Sequence, residues 1–153
     1  MSAILDIADA VTAELDAAGL NPPATVRRQI RPVFDLAEAN QLQVVVVPRS
    51  QSFQQGSRGA CYVDVAVDIG VQQKVDPEDA GRIGVLLGLV EQIADFLRKR
   101  RLAAVPDAVL VSAQNEPIYA PEHLDQLRQF TSVLTVTYRV ICLLYTSPSP
   151  RDS

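Results

Sequence analysis

Residues 76–101, DPEDAGRIGVLLGLVEQIADFLRKRR, contain the clearest helical pattern in this chain. Asp76 can cap the first backbone N–H groups, and Pro77 suits the first helical position, where a missing N–H donor costs nothing. Large apolar residues then recur at three- and four-residue steps and form one stripe: Ile83, Leu86, Leu87, Val90, Ile93, Ala94 and Leu97. Burying each large aliphatic side chain contributes roughly 1.5–3 kcal/mol before entropy is subtracted. We therefore predict one long helix that packs across a β-sheet.

Strands for that sheet are predicted on both sides of the helix. Residues 61–71 alternate almost perfectly between apolar and polar or small positions, which indicates a strand with one buried face. We assign that buried face to the stripe of the long helix. Residues 130–140 alternate in the same way, with threonines on the exposed face. Three further strands are predicted at residues 24–31, 42–47 and 108–113.

A second helix is predicted at the N-terminus. Ser2 can cap it, and Gly19 supplies a left-handed stop just after its predicted end at Ala18. The fold class is therefore α/β (α+β): one mixed, mostly antiparallel sheet of about four to five strands, with the long helix and the N-terminal helix packed on it. We predict a single domain over residues 1–140.

The last stretch, residues 141–153, differs in kind. Its sequence is ICLLYTSPSPRDS, and the Ser-Pro repeat cannot build a strand or a helix. It is similar to sequencing-adapter DNA translated in frame at the end of an assembled contig. We expect a non-native or disordered tail, and the alternative is a genuine flexible tail.

Composition narrows the class of protein. A length of 153 residues fits one domain, and a net charge of −4 argues against duplex DNA or an anionic membrane as the main partner. Two cysteines are too few for a disulfide framework, and no apolar run is long enough to span a bilayer. We expect a soluble protein made in a reducing cytoplasm.

Signatures of catalysis are missing from the sequence. It contains no phosphate-binding loop, dinucleotide fingerprint, paired-cysteine zinc site or nucleophile elbow, and its single histidine is His123. Asp64 and Asp68 would lie about 13 Å apart along a strand, too far for an acid–base pair, so we expect an exposed acidic edge. Gly81, Gly84 and Gly88 weaken the long helix but would let a neighbouring strand or helix approach closely. We predict no enzymatic activity, no cofactor and no metal.

Polar segments outside the predicted core are the candidate binding surfaces. The strand at residues 24–31 carries arginines that read as a solvated or subunit-facing edge, or as a nucleic-acid patch. Residues 49–59 are the most polar long loop, either disordered or a binding loop anchored by Phe53, and residues 115–129 form a second excursion. The predicted interface residues are Arg27, Arg28, Arg31, Arg49, Phe53, Arg58, Tyr119, Thr135 and Thr137.

Five segments carry a resemblance to a known family. They are IRPVFDL at 30–36, QVVVVP at 43–48, YVDV at 62–65, NEPIY at 115–119 and FTSVLTVTYRV at 130–140. Together with the order of helices and strands, they resemble the small neck and tail proteins of long-tailed bacteriophages. The tail-terminator, or tail-completion, type is the closest, over about residues 1–140.

This resemblance implies a structural role. Such a protein forms a ring with itself, typically a hexamer, which caps the tail tube, stops polymerisation of the tail-tube protein and offers a surface to the head-completion proteins. DNA only passes through the bore, no membrane is involved, and the protein is assembled in the bacterial cytoplasm into the virion. Two alternatives stay open. One is another head–tail connector or stopper, and the other is a small ligand-binding or catalytic domain whose candidate pocket residues are Asn115, Glu116, Tyr119 and His123.

Overall fold

A computed structural model of the chain describes residues 2–30, 41–56 and 60–143, with residues 142 and 143 described by their backbone alone. Helices and strands alternate irregularly along these residues. In chain order the elements are α1 (Ala3–Asp16), β1 (Thr25–Arg28), β2 (Gln43–Gln55), β3 (Ala60–Lys74), α2 (Ala80–Arg98), β4 (Val109–Gln114), α3 (Pro121–Leu127) and β5 (Gln129–Leu143).

The strands form one mixed sheet in the order β1-β2-β3-β5-β4. β1 runs parallel to β2, and every other neighbouring pair is antiparallel. The predicted α+β class, with a mostly antiparallel sheet and helices packed on it, is confirmed. The N-terminal helix also begins as predicted, since the Ser2 hydroxyl accepts the backbone N–H of Leu5 at 3.4 Å. Gly19 follows with a φ of 65°, the left-handed conformation expected of it.

Both long helices cover the same face of the sheet and share one hydrophobic core. α1 packs across β1, β2 and β3, whereas α2 packs across β5 and β4. The assignment of the buried face of β3 to the stripe of α2 was therefore wrong, because α1 lies over that strand. A five-stranded sheet is about 20 Å wide and a helix with its side chains about 10 Å, so each helix covers about half. No helix among the described residues is long and apolar enough to cross a membrane.

α2 starts one turn later than the sequence suggested. Asp79, not Asp76, caps it, with Oδ1 accepting the backbone N–H of Arg82 at 3.0 Å. Asp76 instead accepts the N–H of Glu78 at 3.0 Å, which closes the turn before the helix. The predicted stripe points inward, with Ile83 and Leu87 half-buried at its margin. The fully buried residues of α2 are Leu86, Leu89, Val90, Ile93 and Leu97.

The strand predicted at residues 42–47 was expected to end before Pro48, but β2 continues to Gln55. A β-bulge between Pro48 and Ser50 carries the strand past the proline, and bulges and edge strands are where a missing N–H donor is tolerated. The predicted polar loop is thus, over Arg49–Gln55, an exposed strand paired with β3. We call Arg49–Gln55 the β2 arm. β5 likewise runs to Leu143, three residues past the predicted domain end, and pairs there with Ala60–Tyr62. The tail prediction for residues 144–153 lies outside the described residues.

Candidate assembly surface

The face of the sheet away from α1 and α2, here called the second face, carries a ladder of paired polar groups. Asp64 on β3 accepts two hydrogen bonds from the Arg139 guanidinium on β5, at 2.8 and 3.0 Å. These bonds hold the pKa of Asp64 below its usual value. Four residues along, Asp68 accepts the Thr135 hydroxyl at 2.6 Å and pairs with Arg49 at 3.2 Å. The two aspartates were predicted to form an exposed acidic edge, but they lie on a central strand, where cross-strand cations neutralise them.

The threonines predicted for an interface lie on this second face. The hydroxyl of Thr135 is engaged by Asp68, and Thr137 lies across from Ala66 on one side and Ser112 on the other. Both are half-buried rather than fully exposed. Thr135 therefore helps to join β3 to β5, and the structure brings it together with Arg49.

The arginines of β1 are tied into the fold. Arg27 donates to the side-chain oxygen of Gln43 at 2.6 Å, and Arg28 forms an ion pair with Asp9 of α1. Both side chains are half-buried. They connect the edge strand to β2 and to α1, so the picture of a solvated edge does not hold for them. Arg31 and Arg58 lie outside the described residues.

The excursion between β4 and β5 is also tethered. The Asn115 amide donates to the Ser132 hydroxyl at 3.0 Å and to the Val133 carbonyl at 2.8 Å. The His123 ring Nδ1 lies 2.9 Å from the Thr131 hydroxyl, and Tyr119 packs against Phe130 with ring centroids 6.3 Å apart.

The polar side chains of the excursion bond to separate groups on β5 and are not directed at one shared point. They hold the segment and α3 against β5, and Tyr119 serves the same purpose. His123 lies on α3 and is half-buried. The four candidates for a ligand pocket contact different partners: Asn115 bonds to Ser132, Glu116 to Gln114 and His123 to Thr131, and Tyr119 packs on Phe130.

The β2 arm is the most exposed regular element of the described chain. All seven of its residues are exposed, and Phe53 is 73% exposed. β1 pairs only with Gln43–Val46, so the outer side of β2 has no strand partner beyond Val46 among the described residues. Among the described residues, the arm therefore has an unpaired backbone edge and one uncovered aromatic ring. An apolar anchor at Phe53, as predicted, requires such exposure.

A cleft runs between α2 and the other edge of the sheet, β4. It has two adjoining parts of about 850 and 280 Å³, both lined by Arg98 and Leu110. We call it the α2–β4 cleft. The larger part is lined by Gly88, Glu91, Gln92, Ala94, Asp95, Arg98, Leu110, Val111, Ser112 and Ala113. The smaller part is lined by Arg98, Lys99, Arg100, Arg101, Ala108, Val109 and Leu110.

Charges in the smaller part of the cleft are mostly positive. Asp95 accepts hydrogen bonds from Lys99 at 2.8 Å and from Arg98 at 2.5 Å. These bonds lower the pKa of Asp95, and the bond from Lys99 has the larger effect. Arg100 pairs with Glu14 at 3.0 Å and lies over the Phe96 ring, 4.1 Å from its centroid. Arg101 donates to the Pro106 carbonyl. The run of four basic residues thus carries more positive charge than these two carboxylates neutralise.

Sequence reasoning missed this cleft. A side chain at Gly84 or Gly88 would meet nothing within 4 Å, so these glycines do not admit a close neighbour, contrary to the prediction. Gly88 instead lines the larger part of the cleft. The available signal was a row of small residues along the predicted helix, followed in the chain by the strand predicted at residues 108–113.

No group of three or more His, Cys, Asp or Glu side chains that could hold a metal ion is found within the described ranges. No protein-family model matches the chain. No curated protein matches it either.

Proposed function

We propose that this chain is a phage structural protein that forms a ring at the head-proximal end of the tail. The ring terminates polymerisation of the tail tube and provides the surface to which the head joins. The proposal starts from the resemblance of residues 1–140 to tail-terminator proteins. In this role the chain works through its shape and its contacts rather than through reactive groups.

The β2 arm is the observation that carries the proposal. Its side chains lie outside the hydrophobic core, so the arm adds little to the folding of the domain by burial. An exposed strand edge with an uncovered aromatic ring is a liability for a protein that works alone, because it invites pairing with other chains. A subunit that must join neighbours uses the same feature.

A tube-capping assay tests this function. The purified protein is added to the polymerising tail-tube protein of the same phage genome, and tube length is followed by negative-stain electron microscopy. Light scattering counts the subunits of the free protein. We expect a closed oligomer that sits at one end of the tube and shortens the tubes in proportion to its concentration. A matched amount of the heat-denatured protein is the control.

Two results would overturn the proposal. One is a protein that stays monomeric at all concentrations and leaves tube length unchanged. The other is a ring that binds the portal-side proteins and has no effect on the tube, which would favour a head–tail connector.

A further inference from the structure

We propose that the β2 arm of one copy adds as a strand to the free edge of β4 in the next copy, with Phe53 in the smaller part of the α2–β4 cleft. This interface deepens the proposed function, since it specifies how the ring closes, and it rests on that function.

The two free edges lie at the same height in the sheet. Reading across the strands, Val109 of β4 is level with Arg139, Asp64 and finally Ser52 of β2. Gln114, at the other end of β4, is level through β5 and β3 with Val47. β4 therefore spans the height at which β2 has lost its partner β1. At this height the edge beside β2 lacks a strand among the described residues, and the opposite edge has the additional strand β4.

Strand direction agrees with this pairing. β2, β3, β5 and β4 alternate in direction across the sheet. If a second copy lies beside β4 in the same orientation as the first, its β2 arm runs antiparallel to β4. Copies added in this way continue one sheet, and the helix-covered face of one copy continues into that of the next. Antiparallel neighbours can then exchange the regular hydrogen bonds of a β-ladder.

Phe53 lies on the correct side of the sheet for the cleft. It is directly opposite Val63, which packs against the shared core under the helices. In the proposed pairing Phe53 comes one residue beyond the level of Val109, beside the smaller part of the cleft. A cavity of about 280 Å³ has room for a phenyl ring.

Electrostatics match at both ends of this contact. The face of an aromatic ring attracts guanidinium groups, and the smaller part of the cleft presents Arg98 and Arg101. The arm's one charged residue, Arg49, pairs with Asp68 of its own copy. In the proposed pairing Arg49 comes level with the far end of β4, near the exposed carboxylate of Glu116, which accepts a hydrogen bond from Gln114.

A second copy of this chain is the occupant that these features select. The arm and the cleft lie at opposite sides of one sheet, so the contact is heterologous, and heterologous contacts close into rings or run on as filaments. Every copy carries both a β2 arm and a β4 edge. In a closed ring, each arm therefore pairs with the β4 of one neighbour, and each β4 pairs with the arm of the other neighbour.

Photo-crosslinking tests the interface directly. Phe53 is replaced by benzoylphenylalanine in the full chain, and unlabelled and ¹⁵N-labelled copies are mixed before assembly. We expect crosslinked peptide pairs of mixed label that join position 53 to residues 98–101 or 108–110. The same replacement at Leu127 on α3, exposed at the other end of the sheet, is the control and should give no such pairs.

Two variants, one with a single substitution and one with two, measure the strength of the contact. Phe53→Gln changes one side, and Arg98→Gln combined with Arg101→Gln changes the other, all at exposed positions. We expect each to weaken self-association by about tenfold or more in analytical ultracentrifugation. Circular dichroism should show unchanged folding, and Leu127→Gln should associate as the parent chain does.

The outcomes separate the interface from the function. A ring that caps tubes but crosslinks position 53 elsewhere, including to the tube protein, overturns the interface and leaves the proposed function standing. Unweakened association of the Phe53→Gln variant also overturns it. A chain that forms no ring removes the proposed function and the interface together.

Discussion

Asp64 and Arg139 face each other across β3 and β5 as a two-bond ion pair, with separations of 2.8 and 3.0 Å. The Arg139 guanidinium also lies over the Tyr62 ring, 4.7 Å from its centroid. On its other side, Asp64 accepts a hydrogen bond of 3.5 Å from Gln54 of the β2 arm. The pair thus joins the two longest strands at the level of Ser52 in the β2 arm.

The Asp64–Arg139 pair predicts a pH dependence of stability. Hydrogen bonds from Arg139 lower the pKa of Asp64 in the folded chain, so the pair stabilises the fold above the unfolded pKa of about 3.9 and is lost as the pH falls through the folded value. We expect Asp64→Asn to be less stable than the parent chain at about pH 7 and to approach it at about pH 3. Urea unfolding at both values measures this. An equal difference at the two pH values would show that the charge is irrelevant.

Tyr138 predicts a stabilising substitution. Its side chain is 1% exposed, and its hydroxyl has no hydrogen-bond partner among the described residues. Burying an unpaired hydroxyl is costly, so Tyr138→Phe should raise the free energy of unfolding by about 1 kcal/mol at neutral pH. Urea unfolding measures the change. A loss of stability would mean that the hydroxyl has a partner in solution.

The same residue predicts alkaline sensitivity. Burial, and secondarily the negative charge of Glu14, raises the pKa of Tyr138 to about 12. An unfolded tyrosine ionises near about pH 10, so unfolding releases a proton between these values and stability falls as the pH rises. We expect the advantage of Tyr138→Phe over the parent chain to grow between about pH 8 and about pH 11. The advantage would stay constant if the phenol ionised normally in the fold.

Hydropathy patterns could predict the sheet where one face is buried. In β3, Val65, Val67 and Ile69 lie under the helices, and their alternation is visible in the sequence. The β2 arm leaves no such trace, because its side chains are exposed on both faces and only backbone pairing with β3 makes it a strand. A polar strand and a polar loop have the same composition, so the prediction failed there.

The contacts of the β1 arginines and the α2–β4 cleft were also missed, because both depend on residues that are remote in sequence. Arg28 is held by Asp9 on another element, and Arg27 is held by Gln43 on the neighbouring strand. Neither partner follows from a local motif. The α2–β4 cleft depends on where a helix comes to lie relative to an edge strand, which is a property of tertiary packing.

Gly84 predicts a second stabilising substitution. It lies inside α2, is exposed, and an added methyl group would meet nothing within 4 Å. Glycine in a helix interior costs about 1 kcal/mol relative to alanine. We therefore expect Gly84→Ala to raise the free energy of unfolding by about that amount, measured by urea unfolding. Gly19 is the matched control, because its positive φ disfavours a side chain and Gly19→Ala should destabilise. Loss of stability at Gly84 would indicate a neighbour that approaches the helix there.

Adjacent positions on α2 test whether its stripe is what holds it to the sheet. Leu86 is fully buried in the shared core, whereas Val85 is 46% exposed. Truncating a buried leucine removes apolar contacts and leaves a cavity, so Leu86→Ala should cost about 2–5 kcal/mol. Val85→Ala should change stability by no more than about 0.5 kcal/mol, as surface substitutions do. Thermal and urea unfolding of the two variants measure the contrast. Similar losses at both positions would mean that α2 turns a different face to the sheet, and the packing described for β4 and β5 would then be incorrect.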